Sequence, residues 1–147
     1  MWFRSAIVIL VASVSALVFS VDQQGTVNVV LFDGVEVTES TQLDFGVVEN
    51  QDGTCVMDSD GNLSGICSGT STPASFVVSG TENSTVLISL SETTESGGVA
   101  FTPSLVGEPS RQLVDGEAEV DVIGELSLND ASSGQQDIDY TVTVNYQ

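Results

Sequence analysis

Apolar and polar residues alternate most strictly near the end of the chain. Ile138, Tyr140, Val142, Val144 and Tyr146 alternate with Asp139, Thr141, Thr143 and Asn145. A period of two over this length predicts a β-strand with one buried and one wet face. Val, Thr and Tyr suit such a pleated, half-covered surface. Similar runs recur upstream, at Gly25–Phe32, Val35–Thr38, Gln42–Val48, Ala74–Ser79, Ser84–Leu90, Gly97–Phe101, Arg111–Val114 and Glu117–Leu128. Turn residues separate them, and from Gln24 onward no helical period of useful length appears. Short strands punctuated in this way predict an all-β domain, a sandwich or a barrel. Within Glu117–Leu128, Gly124 interrupts the alternation and predicts a bulge or bend.

The two cysteines, Cys55 and Cys67, flank the turn signal Asp60-Gly61-Asn62. A hairpin centred on Gly61 sets them opposite one another, at a separation suited to a disulfide. No Cys-x-x-Cys is present, so the bridge reads as structural rather than redox-active. Asp58-Ser-Asp60-Gly-Asn62 also resembles part of a calcium loop. Its twelfth position is Gly69 rather than a bidentate Glu, and the hairpin turn explains the same residues without an ion.

Charge narrows the chemistry. The chain holds 2 Lys+Arg, 21 Asp+Glu and no His, a formal net charge of −19. Such a chain repels phosphate backbones and anionic membranes, so no nucleic-acid role is expected. Without His there is no Ser-His-Asp or Cys-His catalysis, and without Lys no Schiff base or lysine isopeptide cross-link. The carboxylate pairs Asp137/Asp139 and Glu117/Glu119 fall on the polar positions of strands, where solvated faces are expected. The chain therefore reads as no enzyme, with no cofactor and no metal.

The N-terminus has one early basic residue, Arg4, an apolar run from Ser5 to Phe19 and small residues at its end. This predicts a secretory signal peptide over residues 1–20, cut after Ser20 or, alternatively, after Ala16. The run is short for a membrane span, so no stable membrane insertion is expected. Residues 21–147 then form one secreted domain with a single basic residue, Arg111. Export also favours the disulfide.

The terminal strand resembles the C-terminal signature of chaperone–usher pilins. Tyr146 is the second residue from the end, Gly134 is the fourteenth, and Tyr140, Val142 and Val144 alternate between them. Four stretches, the terminal strand among them, resemble a family of secreted bacterial domains of unknown function, related to spore-coat and fimbrial subunits. They are Leu43-Asp44-Phe45-Gly46, Ala74-Ser-Phe-Val-Val-Ser-Gly80, Val122-Ile-Gly124-Glu-Leu126 and Tyr140-Thr-Val-Thr-Val-Asn-Tyr146. The resemblance implies an immunoglobulin-like, pilin-like β-sandwich. One departure is that many such pilins tie their first strand to their second by a disulfide, whereas Cys55 and Cys67 look local to one hairpin.

The same resemblance implies a structural subunit of a bacterial surface fibre, a fimbria or pilus, assembled by donor-strand exchange. Val27, Val29 and Leu31 would be the donated residues. Gly134, Tyr140, Val142, Val144 and Tyr146 would form the strand that contacts a chaperone or neighbouring subunit. Implied partners are other copies of the chain or related subunits, a periplasmic chaperone and an outer-membrane usher. From the residues alone, Gly25–Phe32 serves equally as the first strand of the chain's own sheet. The alternative function is a monomeric secreted or surface β-sandwich that binds an unidentified ligand.

Overall fold

The computed structural model describes residues 26–147. The expected signal peptide, residues 1–20, with both cleavage positions, lies outside the described residues. The chain falls into two compact units, Met1–Val30 and Leu31–Gln147. In the first unit, Thr26–Val30 has no regular structure, and Val27, Val29 and Val30 are exposed.

The second unit is all-β. Twelve strands are present, and no helix occurs among the described residues. In chain order they are β1 (Glu36–Thr41), β2 (Val47–Val48), β3 (Gly53–Met57), β4 (Leu63–Gly65), β5 (Cys67–Ser68) and β6 (Ala74–Ser79). They continue as β7 (Thr85–Leu90), β8 (Thr94–Ser96), β9 (Val99–Leu105), β10 (Ser110–Gln112), β11 (Glu117–Leu128) and β12 (Val142–Tyr146). All pairs are antiparallel.

The long strand β11 organises the larger, seven-stranded sheet, which runs β1-β6-β11-β3-β4, with β9 also paired to β11 and β8 paired to β9. Val122 pairs both Ala74 of β6 and Leu105 of β9, so these two strands lie on opposite edges of β11. Leu126 pairs both Cys55 of β3 and Phe101 of β9. One edge of β11 thus passes from β6 to β3 between Val122 and Glu125, while the other keeps β9 without a register slip. The sheet curls about this exchange. Of the bulge or bend expected at Gly124, no bulge forms against β9, whose register runs through it, and the partner exchange takes place there instead. Glycine is required there by closeness, because a Cβ would strike the Thr102 carbonyl and lie 2.6 Å from Cε2 of Phe101.

The smaller sheet has the order β10-β7-β12. Its buried residues Val86 and Ile88 join Ala74, Phe76 and Val78 of β6, Val120 and Val122 of β11, and Leu113 in one core cluster. Alternation accounts for this. β6 buries Ala74, Phe76 and Val78 and turns Ser75, Val77 and Ser79 outward. Each fully buried aliphatic side chain contributes about 1.5–3 kcal/mol.

The disulfide forms between Cys55 and Cys67, with a Cα–Cα distance of 5.4 Å. Its setting differs from a facing pair across a hairpin centred on Gly61. Met57 pairs Leu63 and Cys55 pairs Gly65, so the hairpin is centred on Asp60. Cys67 lies beyond it in β5, which pairs β2. The turn explains the shift. The Asp58 N–H donates to the Asn62 carbonyl at 3.0 Å, which closes the loop one residue earlier than expected.

The predicted strand at Gly25–Phe32 is not formed in its described part. Thr26–Phe32 carries no strand, since strand geometry is held by a neighbour and no described segment pairs with it. Similarly, Ile138–Thr141 lies outside the sheet, although its side chains alternate between half-buried and exposed as expected.

Candidate functional site

β12 lies at the border of the smaller sheet, with Val142 opposite Leu90 and Tyr146 opposite Val86 on β7. Its other edge has no paired strand among the described residues. β1 likewise pairs only β6 among them. Val37 of β1 and Val142, Val144 and Tyr146 of β12 are all half-buried against the same core cluster. Two strands, each with one edge unpaired among the described residues, therefore pack against the same core cluster. They differ in character. β1 carries Glu36 and Glu39 and has a register irregularity between Glu39 and Thr41. Charge and irregularity blunt an edge against further pairing. β12 reads Val-Thr-Val-Asn-Tyr, with no charge and no break.

The end of β12 is tied to the start of the domain. The Tyr146 hydroxyl accepts from the Thr81 N–H and donates to the Asp33 carbonyl, each at 2.8 Å. The Asp33 N–H donates to Thr81 Oγ1 at 2.7 Å. The Phe32 ring lies against that of Tyr146, with centroids 5.1 Å apart. Gly80 makes the seat, since a Cβ there would collide with the Tyr146 hydroxyl. Sequence reasoning singled out Tyr146 but missed Asp33 and Thr81 as its partners. Asp33 lies 113 residues from Tyr146, and no local pattern links them. Gly80 closed a quoted motif, but nothing around it indicated the close approach.

A cleft of about 1080 Å³ opens at the other end of β12, with Val142 in its lining. Leu43, Phe45, Phe101, Leu126 and Leu128 contribute apolar lining, and Glu39, Asp44, Asp137 and Asp139 also line it. No basic residue among the described ones does. The Leu43–Gly46 stretch is shaped locally, because Asp44 exchanges backbone hydrogen bonds with Thr72 while its carboxylate accepts from the Gly46 N–H at 2.7 Å. Phe45 then meets Phe101 edge-on at 5.9 Å, and Phe101 meets Tyr140 at 5.4 Å. Such edge-to-face contacts add to burial.

The Tyr140 hydroxyl is enclosed and has no hydrogen-bond partner among the described residues. Burial, reinforced by the negative charge of Glu39, pushes its pKa up to about 12 from 10.0. A tyrosine whose native pKa exceeds its unfolded value adds stability below the unfolded pKa, and loses it as pH rises through the native one. Stability should therefore decline between pH 10 and about 12. Tyr140→Phe should remove that part of the decline, as read by urea midpoints along an alkaline titration.

The predicted residues are only partly brought together. Val142, Val144 and Tyr146 share β12. Tyr140 and Gly134 precede it and line the cleft instead. Of the predicted donor residues, Val27 is 85% exposed, Val29 68% and Leu31 85%.

The Asp58 loop is a turn. The Asp58 carboxylate accepts from the N–H groups of Asp60 and Asn62 and from the Asn62 side chain. The bond from the Asn62 side chain, followed by that from its backbone, lowers the Asp58 pKa. Among the described residues no group of three or more His, Cys, Asp and Glu is placed to hold a metal ion. Nor is any helix among them long and apolar enough to cross a membrane.

No curated protein and no solved structure shows a significant match to the chain. Residues 35–146 match a domain family described as a domain of unknown function, DUF4402. That span takes in β1 through the last residue of β12. The chain belongs to the DUF4402 family.

Proposed function

We propose that this chain is a structural subunit of a bacterial surface fibre, exported to the periplasm and cell surface, that grows by donation of an N-terminal strand. In this reading the domain is an immunoglobulin-like, pilin-like sandwich open along one side. The observation that carries it is the segment Val27–Phe32. Five of its six residues are large and apolar, and all five are exposed. Exposed apolar surface of this kind is unfavourable in water and marks an interaction site. The uncharged free edge of β12 and the half-buried floor beside it suit a strand that adds by main-chain pairing and side-chain insertion. Burying Val27, Val29 and Leu31 would contribute about 5–9 kcal/mol before the ordering cost of association. A head-to-tail contact of this kind does not close, so copies add into a filament. A periplasmic chaperone and an outer-membrane usher would shield and order subunits before assembly.

The direct test is the double variant Val27→Asp/Val29→Asp. Wild-type protein should form larger species as its concentration rises, measured by sedimentation velocity. The variant should remain monomeric with an unchanged melting curve. Normal polymerisation of the variant would remove the donor role.

A second reading is favoured by one observation, the cleft lined by Phe45 and Phe101. It is a monomeric secreted or surface domain binding a ligand there. The absence of basic lining disfavours anionic ligands.

A further inference from the structure

The bonds around Tyr146 join two parts of the surface that strand donation would use. Tyr146 is the last residue of β12, whose free edge would accept an incoming strand. Its hydroxyl also holds the Asp33 carbonyl, and its ring lies against Phe32, at the root of the donated segment. Thr81 completes the arrangement, giving its N–H to the Tyr146 hydroxyl and its Oγ1 to the Asp33 N–H. The hydroxyl therefore has one donor and one acceptor, and the seat formed at Gly80 leaves it no slack. We infer that Tyr146 couples the two ends of a subunit, so that occupation of the β12 edge of one copy orders the root of that same copy's donor segment.

This inference rests on the strand-donation reading and adds a regulatory consequence to it. β12 is a short border strand held by β7 alone among the described residues, and such strands open readily. A strand paired along its outer edge restrains the backbone from Val142 to Tyr146, and so restrains the Tyr146 ring. The ring then holds Asp33 and Phe32 for a larger fraction of the time. The donor segment of an occupied copy leaves the domain from a fixed point, and the next copy meets a partly ordered donor at lower entropic cost. Linkage makes the effect reciprocal, so an ordered root also strengthens binding at the β12 edge. Tyr146 acts here as a positioning residue. It sets the cooperativity of growth and is not itself the main contact between copies.

The test uses the Val27→Asp/Val29→Asp chain as a monomeric acceptor and a synthetic peptide of residues 26–32 as the donor. Binding is read from chemical-shift changes at the amides of β12. Root order is read from hydrogen exchange at the Asp33 amide, whose N–H is bonded to Thr81. Peptide saturation should slow Asp33 exchange about fivefold, the factor expected of one net hydrogen bond. In Tyr146→Phe, which keeps the ring and loses the hydroxyl, the peptide should still bind but leave Asp33 exchange unchanged. Thr81→Val, which removes the hydroxyl bonded to the Asp33 N–H, should also abolish the slowing and supplies the comparison if Tyr146→Phe does not fold. Peptide binding with no slowing in the parent, or with equal slowing in the variants, would overturn the coupling and leave strand donation standing. Failure of the peptide to bind at all would overturn both.

Discussion

Replacing Gly124 with alanine should lower the unfolding free energy by about 3 kcal/mol, the upper end for adding one methyl group to a packed site. The new Cβ would fall on the Thr102 carbonyl oxygen and lie 2.6 and 2.9 Å from Cε2 and Cζ of Phe101. Neither neighbour can retreat cheaply. Thr102 is held in register with Glu125 across β9 and β11. Phe101 is 2% exposed and wedged between Phe45 and Tyr140. Gly124 is also at the step where one edge of β11 passes from β6 to β3, so a shift there disturbs both partners. The effect should appear as a lower urea midpoint at unchanged slope. Gly34→Ala is the control, because a Cβ at that position meets nothing within 4 Å. Equal midpoints for the two variants would refute the close-approach explanation.

Removing the disulfide as Cys55→Ala/Cys67→Ala should cost about 3 kcal/mol, the value expected for closing a loop of roughly this length. The cysteines are 12 residues apart. Cys55 is 0% exposed, so truncation there also leaves a small cavity. Alanine is preferred to serine for the test, because a buried hydroxyl without a partner would add its own penalty. For a domain of this size the loss corresponds to a fall in Tm of about 10–20 °C. Thermal melting of the wild type with and without reductant should show a drop of similar size. Indistinguishable melts would mean that the bridge fixes β5 locally without supporting the domain.

The strands that were legible in the sequence are those with both alternation and flanking turn residues. Ala74–Ser79 and Glu117–Leu128 appear with the expected bounds, and Ser84–Leu90 differs by one residue. Each has one face in the core, and that is the property alternation encodes. β9 was harder to read. The expected strand ended at Phe101, yet β9 runs from Val99 through Pro103 to Leu105, with Pro103 opposite Gly124. β8 reaches only as far as Phe101, so at Pro103 the strand has a neighbour on one side alone, where proline is tolerated. That freedom depends on a second strand stopping short, which no local window contains.

The candidate site was half legible. Tyr146, Val142 and Val144 were marked by alternation and position, and Val27, Val29 and Leu31 by an apolar run ahead of the domain. Asp33, Thr81 and Gly80 were not. Their contacts with Tyr146 arise from three distant pieces of chain meeting at one hydroxyl, and Asp, Thr and Gly at these places look like ordinary turn residues. The cleft was also invisible, because it exists where Ile138–Thr141 stays out of the sheet although its alternation continues unbroken.

What the sequence determined by itself was local and chemical. Alternation assigned each residue to a wet or a covered side, two cysteines had only each other to pair with, and the lack of His and Lys excluded whole classes of catalysis. The tertiary structure decided which strands are neighbours. It set the exchange of partners along β11, centred the hairpin on Asp60, left Thr26–Phe32 outside every sheet, and brought Tyr146 to Asp33. The reason is physical: a strand's pattern records which side is buried but not what lies beside it, because edge pairing uses backbone groups that every residue carries alike.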